Sequence, residues 1–251
     1  MVNMIMHGCN GRMGQMITDI VANDPDIKIV AGIDINTVQK NDYPVFASME
    51  QCDIDADVVV DFGNAAATDN LVKACIDKKL PLVLCTTGLS EEQLQLVKDA
   101  SDKIAMFKSA NMSLGINLLQ KILRDNAAVL AEAGFDVEIV EKHHKMKLDA
   151  PSGTALALAD SVNDGLKDHK DYVFDRSTRR QKRPDTEIGI SAVRGGTIVG
   201  EHDVIFAGQD EVVTFSHTAY SRAVFAKGAI EAAKFLSDKT SGMYDMSDVI
   251  G

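Results

Sequence analysis

The sequence has few cysteines, and their spacing does not fit a metal or disulfide framework. The 251-residue chain contains only Cys9, Cys52, Cys75 and Cys85, and no two of them form a Cys-x-x-Cys pair. Zinc sites and disulfide scaffolds use closely and regularly spaced cysteines. Reduced thiols are typical of proteins in a reducing compartment, so we expect a cytoplasmic protein.

Long apolar runs and an excess of positive charge are also missing. No window reaches the ~18 uninterrupted apolar residues that a membrane helix needs. The first residues, MVNMIMHG, lack the basic region of a signal peptide. The formal net charge is -11, whereas proteins that bind nucleic acids usually present a basic face to the phosphates. We therefore expect neither a membrane nor a nucleic-acid partner, although a local basic pocket for an acidic small molecule stays open.

Short apolar strands and amphipathic helices alternate in the first half of the chain. Strands are predicted over 2–7, 27–34, 56–62, 81–88 and 103–111, and helices after residue 11, over 65–78 and over 90–100. Ser90, followed three residues later by Gln93, indicates a capping box. Strands that alternate with helices predict a parallel sheet with helices on both faces.

The pattern changes after residue 112. A long helix is predicted over 113–132, then a strand that ends in EKHH, a helix after Pro151, and a polar loop over 169–186. Three strands within 187–219 and a helix over 221–237 follow. The predicted fold class is α/β: a Rossmann-like, parallel-sheet dinucleotide-binding domain (1–112 and 220–251) plus a smaller α+β domain with a mixed sheet (113–219).

Three glycines between the first strand and the first helix predict a dinucleotide loop. Gly8, Gly11 and Gly14 permit a tight turn and let backbone amides approach a pyrophosphate. The N-terminus of the following helix adds partial positive charge. The spacing G-x-x-G-x-x-G is a variant of the commoner G-x-G-x-x-G, so a glycine turn without a ligand is the alternative.

Asp34 ends the second predicted strand, where a carboxylate can accept hydrogen bonds from the hydroxyls of the adenosine ribose. The next residues, Ile35, Asn36 and Thr37, include no arginine to meet a 2′-phosphate. We therefore predict that NADH is preferred, with NADPH as the second donor. The alternative is that Asp34 merely ends a strand. The segments DFGN, CTTG and SANMS also follow predicted strands, at the edge where such sheets bind ligands.

The segment EKHHKMKLDAPSGTAL, residues 141–156, combines two histidines, three lysines and a helix start. If it begins as a strand, the neighbouring His143 and His144 point in opposite directions and cannot easily chelate one metal ion, which the lysines would also repel. We expect no metal site. The first turn of the helix, with Ser152, Gly153 and Thr154, favours an anion site. Lys147 and the histidines would complete a pocket for a dicarboxylate, but an ordinary capped helix beside a solvated basic loop stays an alternative.

Taken together, these motifs resemble the 4-hydroxy-tetrahydrodipicolinate reductase (dihydrodipicolinate reductase) family. The matching segments occur in the family's order and span nearly the whole chain: GCNGRMG, DFGN, CTTG, SANMSLGIN, EKHHKMKLDAPSGTAL and VRGGTIVGEHDVIF. The resemblance implies reduction of 4-hydroxy-tetrahydrodipicolinate, a small cyclic dicarboxylate, to tetrahydrodipicolinate in the diaminopimelate and lysine pathway. It also implies a cytoplasmic homotetramer, whose second domain binds the substrate and forms the subunit contacts.

The resemblance further implies roles for matching positions. His143 resembles the family's proton donor or acceptor, Lys147 its proton donor and His144 a substrate ligand. Gly153 and Thr154 resemble the amides that hold a substrate carboxylate, beside Ser152. The positions that resemble cofactor contacts are Gly8, Cys9, Asn10, Gly11, Arg12, Met13, Asp34, Cys85, Thr86, Thr87, Ser109, Ala110, Asn111 and Met112.

The chain also departs from the family pattern at three positions. Cys85 stands where the family often has glycine or alanine, DFGN replaces Asp-Phe-Thr or Asp-Phe-Ser, and Ile35 stands where members that use NADPH well carry a basic residue. Two rival functions are a dinucleotide-sensing regulator and another amino-acid-pathway dehydrogenase. A dehydrogenase that acts through a thioester would need a reactive cysteine, for which Cys85 is the candidate.

Overall fold

The first part of the chain forms the predicted alternation of strands and helices. In the computed structural model, which describes residues 1–251, the strands are β1 (Val2–His7), β2 (Ile27–Ile33), β3 (Val45–Phe46), β4 (Val58–Asp61), β5 (Leu82–Leu84) and β6 (Ala105–Phe107). The helices are α1 (Arg12–Val21), α2 (Thr68–Lys78) and α3 (Glu91–Ser101), with a 3₁₀ turn at Ala65–Ala67 before α2. The side chains of Ser90 and Gln93 each accept a backbone hydrogen bond across the start of α3, which confirms the capping box.

The rest of the chain contains α4 (Leu114–Glu132), β7 (Asp136–His143), α5 (Gly153–Asp164), β8 (Asp171–Val173), β9 (Glu187–Arg194), β10 (Gly200–Ala207), β11 (Val212–Ala219), α6 (Ala223–Leu236), β12 (Gly242–Tyr244) and α7 (Met246–Ile250). The prediction of a continuous loop over 169–186 was wrong, because strand β8 lies within it and pairs with β9, which follows it. The short elements β3, β12 and α7 were also missed, since two to five residues carry no readable periodicity.

The chain divides into two compact units, and the first is Met1–Ser113 with Ala223–Gly251. Its seven strands are all parallel, in the order β12-β6-β5-β4-β1-β2-β3. Met4 and Met6 belong to one buried cluster and Ile5 to another, because alternate side chains point to opposite faces of the sheet. Helices α1 and α6 cover the first face, and α2 and α3 cover the second. Burial of each large apolar side chain contributes about 1.5–3 kcal/mol.

The second unit, Leu114–Arg222, has a five-stranded mixed sheet in the order β11-β10-β7-β9-β8. Strand β10 is antiparallel to β7 and β11, while β9 is parallel to β7 and β8. Helices α4 and α5 pack on one face, against Val137 and Ile139 of β7. The α/β fold class, with a Rossmann-like parallel sheet and a smaller mixed-sheet domain, is confirmed. None of the helices is long and apolar enough to cross a membrane.

Candidate functional site

The glycine loop of the first unit has the geometry of a phosphate cradle. Gly8 adopts a φ of +80°, which side chains rarely adopt, and a Cβ on it would stand 2.7 Å from the carbonyl oxygen of Phe62. A Cβ on Gly14 would collide with the backbone of the loop itself. Helix α1 begins after Gly11 without any side chain as its cap. Its first amides therefore have no side-chain acceptor and suit an anionic ligand.

Asp34 lies beside this loop, as the sequence predicts for a ribose-binding carboxylate. Its two oxygens accept hydrogen bonds from the amides of Asn10 and Asn36, each at 2.9 Å. The side-chain amide of Asn10 donates to the carbonyls of Asn36 at 2.6 Å and Val38 at 2.9 Å. Asn10 thus ties the segment after β2 to the glycine loop and fixes the position of the carboxylate.

A cavity of about 350 Å³ opens at this edge of the sheet, lined among others by Gly8, Gly11, Asp34, Ile35 and Asn64. Its volume lies within the range of small-molecule sites. Because it joins the glycine loop to the carboxylate, the residues present fit the adenosine half of a dinucleotide.

Lys40 also belongs to this region, although no sequence motif pointed to it. Its Nζ lies 3.4 Å from the carbonyl oxygen of Asn10. The prediction for the cofactor counted cations only over residues 35–37. The fold of the segment brings a more distant lysine back to the glycine loop, so a cation does lie beside residues that were predicted to bind the cofactor.

The other predicted cofactor residues follow β4, β5 and β6, whose carboxyl ends lie side by side in the sheet. Thr86 is buried, and its Oγ1 has no hydrogen-bond partner; the same holds for Oδ2 of Asp61. Such orphaned polar atoms fit a polar ligand that would pair with them. The side chains of Cys9 and Met112 pack in the core, so these two residues offer only backbone groups.

His7 and Asp61, at the ends of β1 and β4, form a pair that the sequence did not predict. His7 Nδ1 lies 2.6 Å from Asp61 Oδ1, which also accepts from the Gly63 amide at 2.8 Å. Nearby, burial and the Asp61 carboxylate raise the pKa of the Cys85 thiol well above its usual value. Because the thiolate is the nucleophile, this argues against the thioester chemistry of the rival dehydrogenase.

In the second unit, strand β7 presents His143 on its buried face. Val137, Ile139, Glu141 and His143 alternate as buried residues, as predicted, while Lys142 points to the other face. His143 Nδ1 lies 2.7 Å from Oε2 of Glu141. His144, partly exposed, begins the turn after the strand, and its carbonyl accepts from the Lys147 amide at 3.1 Å. The two histidines therefore face different surroundings.

The start of α5 combines a capped N-terminus with an open approach. Ser152 is the N-cap, and its Oγ accepts from the Ala155 amide at 3.2 Å. A Cβ added to Gly153 would meet no atom within 4 Å. The Gly153 amide donates to Asp149, whose Oδ2 pairs with Lys147 Nζ at 3.0 Å. A carboxylate of the chain itself thus lies where the helix start favours an anion.

Arg194 and His202 complete this cluster, and no motif in the sequence gave them a role of their own. Arg194 binds Glu141 through two hydrogen bonds of 2.7 Å each. The ring of His202 meets that of His143 edge-on at 5.1 Å, and its Nε2 lies 3.2 Å from Ser152 Oγ. Burial, with the neighbouring His143, lowers the pKa of His202 to about 4. The only signal for these residues was the segment VRGGTIVGEH in the family resemblance.

No group of three or more His, Cys, Asp or Glu side chains in residues 1–251 is arranged to hold a metal ion.

Three arginines of the polar segment before β9 form ion pairs. Arg179 Nη2 lies 2.5 Å from Glu187 Oε2, and Arg183 contacts Glu138 at 2.9 Å. Arg176 bridges both glutamates, at 2.6 and 2.7 Å. The fold brings these arginines to buried or half-buried carboxylates, so ion pairs hold this part of the predicted polar loop in place.

Comparison with known proteins assigns both parts of the chain to one family. The family model described as dihydrodipicolinate reductase, N-terminus, matches residues 2–112. The model described as dihydrodipicolinate reductase, C-terminus, matches residues 115–250.

Individual relatives match this chain over nearly its whole length. The 4-hydroxy-tetrahydrodipicolinate reductase of Caldanaerobacter subterraneus subsp. tengcongensis is 52% identical over 250 residues, which cover 100% of this chain and 98% of that protein. The enzyme of the same name from Clostridium tetani is 49% identical over 246 residues, covering 98% and 96%. The solved structure of a dipicolinate-bound dihydrodipicolinate reductase from Paenisporosarcina sp. TG-14 superposes with a TM-score of 0.80 at 26% identity, covering 99% of each chain.

Proposed function

The chain belongs to the dihydrodipicolinate reductase family, and we propose that it reduces 4-hydroxy-tetrahydrodipicolinate to tetrahydrodipicolinate with a nicotinamide dinucleotide. This reaction belongs to the diaminopimelate and lysine pathway. The observation that carries the proposal is the cluster at β7 and α5. This cluster brings together, within one short connection, the imidazole of His143, the ammonium group of Lys147 and the helix start at Gly153.

The first unit holds the cofactor. The glycine loop and the start of α1 bind the pyrophosphate, and Asp34 binds the adenosine ribose. When bound, the reduced nicotinamide supplies a hydride. The residues assigned to cofactor contact are Gly8, Cys9, Asn10, Gly11, Arg12, Met13, Asp34, Cys85, Thr86, Thr87, Ser109, Ala110, Asn111 and Met112.

The second unit binds the substrate and supplies the proton that balances the hydride. The start of α5, Ser152, Gly153 and Thr154, holds one substrate carboxylate through its amides and dipole, and His144 contacts the ring. A substrate carboxylate would take the place of Asp149 at the Gly153 amide. The relative that binds dipicolinate, a cyclic dicarboxylate, supports this substrate class.

His143 and Lys147 are the proposed proton donors. Converting the 4-hydroxy ring to tetrahydrodipicolinate releases the hydroxyl group as water, and the conjugated double bond that this leaves takes up one hydride and one proton. Imidazole has a proton affinity suited to this transfer near neutral pH. Lys147 also stabilises negative charge on the substrate. We expect His143→Ala and Lys147→Ala to lower kcat by about 10²–10⁴, the usual contribution of general acid catalysis. The test follows NADH absorbance with enzymatically generated substrate, and wild-type turnover in both variants would disprove the assignment.

For the cofactor, we infer a preference for NADH, with NADPH as the second donor. Asp34 would repel a 2′-phosphate, and the side chain of Ile35 offers it no hydrogen bond. Lys40 reduces that repulsion, so the preference should be moderate rather than absolute. Michaelis constants for the two cofactors test this directly; equal values, or a lower value for NADPH, would disprove it. Lys40→Ala should raise the KM for NADPH and leave that for NADH nearly unchanged.

We further propose a cytoplasmic homotetramer built through the sheet of the second unit. Helices cover only one face of this sheet. The other face presents Val140 and Ile205, which are partly exposed, beside the ion pair of Lys142 with Glu201. Light scattering after size exclusion should give a mass of four chains, and Ile205→Asp should reduce it. A monomeric wild-type protein would contradict the proposal.

A further inference from the structure

One buried carboxylate connects both halves of the proposed substrate site. Glu141 is 0% exposed, and each of its oxygens has two partners. Oε1 accepts from the Ser152 amide at 2.9 Å and from Arg194 Nη2 at 2.7 Å. Oε2 accepts from Arg194 Nη1 at 2.7 Å and lies 2.7 Å from His143 Nδ1. These four contacts use the acceptor sites of a carboxylate fully, as burial requires.

The carboxylate determines which nitrogen of His143 can exchange a proton. An ionised carboxylate only accepts hydrogen bonds, so Nδ1 must carry the hydrogen. Nε2 is then the nitrogen left for proton transfer. Gly200 gives it space: a Cβ on that residue would stand 3.1 Å from Nε2. The same carboxylate accepts a hydrogen bond from the Ser152 amide, so it fixes the position of the imidazole relative to the start of α5.

Arg194 limits the attraction of this carboxylate for a proton on His143. A buried carboxylate alone beside an imidazole would stabilise the imidazolium and hold the proton. The guanidinium binds the same two oxygens in a bidentate pair, the strong geometry for arginine and carboxylate. With His143 neutral, the group of three carries no net charge, and a proton on His143 adds one positive charge beside Arg194.

We propose that Glu141 and Arg194 are positioning residues of this reductase. Glu141 orients His143 with Nε2 as the proton-transferring nitrogen and fixes the Ser152 amide at the substrate-binding helix start. Arg194 weakens the attraction of Glu141 for a proton on His143, so that this proton can be transferred. The catalytic consequence rests on the proposed function, whereas the tautomer and the charge balance do not.

The other titratable groups around His143 do not replace this pair. His202 of β10 faces the ring edge-on, and its low pKa keeps it neutral at the pH of an assay. His217 lies opposite His202 on β11, one strand further from His143. After β7, Lys147 and Asp149 form an ion pair with each other and largely cancel.

The first test is nitrogen NMR of the full chain labelled with ¹⁵N, because long-range proton–nitrogen spectra report the tautomer of each histidine. His143→Gln identifies the His143 signals by their disappearance. We expect the Nδ1–H tautomer in the wild type and a mixture of tautomers in Glu141→Gln. A wild-type His143 in the Nε2–H tautomer, or an unchanged tautomer in Glu141→Gln, would overturn the proposal.

The second test uses opposite charge changes. In the same spectra, Glu141→Gln should move the titration midpoint of His143 to lower pH, and Arg194→Met should move it to higher pH. The double variant, which removes both charges, should lie between them and serves as the folding control, since replacing a whole buried pair costs less than breaking it. Shifts in the same direction, or no shift, would contradict the proposal, because general structural damage predicts no opposite signs.

Kinetics then connect the geometry to the reaction. In Glu141→Gln the fall of kcat at alkaline pH should begin at lower pH, and in Arg194→Met at higher pH, with the KM for NADH unchanged. The loss of kcat should stay below the about 10²–10⁴-fold effect of removing a general acid. If His143→Ala keeps wild-type turnover while the NMR results hold, the proton-transfer role fails and the positioning of His143 stands. If instead His143→Ala loses turnover and the variants show no opposite shifts, only the positioning fails.

Discussion

Replacing Gly153 by alanine should strengthen the fold and weaken substrate binding at the same time. Gly153 is the first residue of α5, does not adopt a positive φ, and has no atom within 4 Å of an added Cβ. Alanine reduces the freedom of the unfolded chain, which stabilises the folded state by about 0.4–1 kcal/mol at compatible positions. In a chain of this size that corresponds to a rise in Tm of about 1–4 °C.

The same substitution should weaken the binding of the substrate. The open space over Gly153 is where a substrate carboxylate would approach the helix amides, and the added methyl group would stand in that path. Loss of one hydrogen bond to a charged group costs about 1.5–3 kcal/mol. Since about 1.4 kcal/mol corresponds to a tenfold change in affinity, the KM for the substrate should rise about ten- to a hundredfold.

Both effects are measured on one protein preparation. Thermal unfolding gives the change in Tm, and steady-state kinetics give the KM for substrate and cofactor. The KM for NADH is the internal control, because Gly153 belongs to the second unit and the cofactor loop to the first. A higher Tm with an unchanged substrate KM would refute an anion site at the start of α5. A lower Tm would show that the added methyl group is not accommodated.

Three further predictions concern other parts of the chain. Burial raises the pKa of Cys85, so Cys85→Ser should keep turnover within about threefold, and iodoacetamide at pH 8 should leave activity intact; a collapse of activity would revive thiol chemistry. Gly14→Ala places a methyl group against the loop backbone, so it should cost about 1–3 kcal/mol and abolish the increase in Tm that NADH gives the wild type, whereas a full NADH response would contradict the phosphate cradle. Burial raises the pKa of Glu187, but hydrogen bonds from Arg179 and Arg176 outweigh it and leave that pKa lowered. The stabilisation by this carboxylate is therefore present above its unfolded pKa of about 4.3 and is lost as pH falls through the lower folded value. Urea unfolding between pH 5 and pH 3 should therefore show a smaller loss of stability in Glu187→Gln than in the wild type.

Local features of the fold were predictable because their causes are local. The capping box of Ser90 and Gln93 involves residues three apart, and the buried strand β4 appears as a continuous apolar run. The alternation of side chains along β7 is enough to put His143 and Glu141 on one face. The alternation of strands and helices likewise led to the parallel sheet, since parallel strands need crossover connections.

The contacts between distant residues were not predictable in the same way. Arg194 reaches Glu141 because β9 pairs with β7 in a register that sets Arg194 opposite His143. Lys40 reaches the glycine loop because Asn10 fastens the intervening segment. The spacing of hydrophobic residues along the chain predicts neither the order of the strands in a sheet nor their register.

The sequence by itself therefore determined the fold class, the glycine loop and the residue types of EKHHKMKLDAPSGTAL, because backbone conformation and side-chain alternation depend on near neighbours. Only the tertiary structure decided what surrounds His143. Glu141 lies on the same strand as His143, but Arg194, which binds Glu141, and His202, which faces the imidazole ring, come from two other strands. The energy of a buried charge depends on every group that the fold brings within hydrogen-bonding distance.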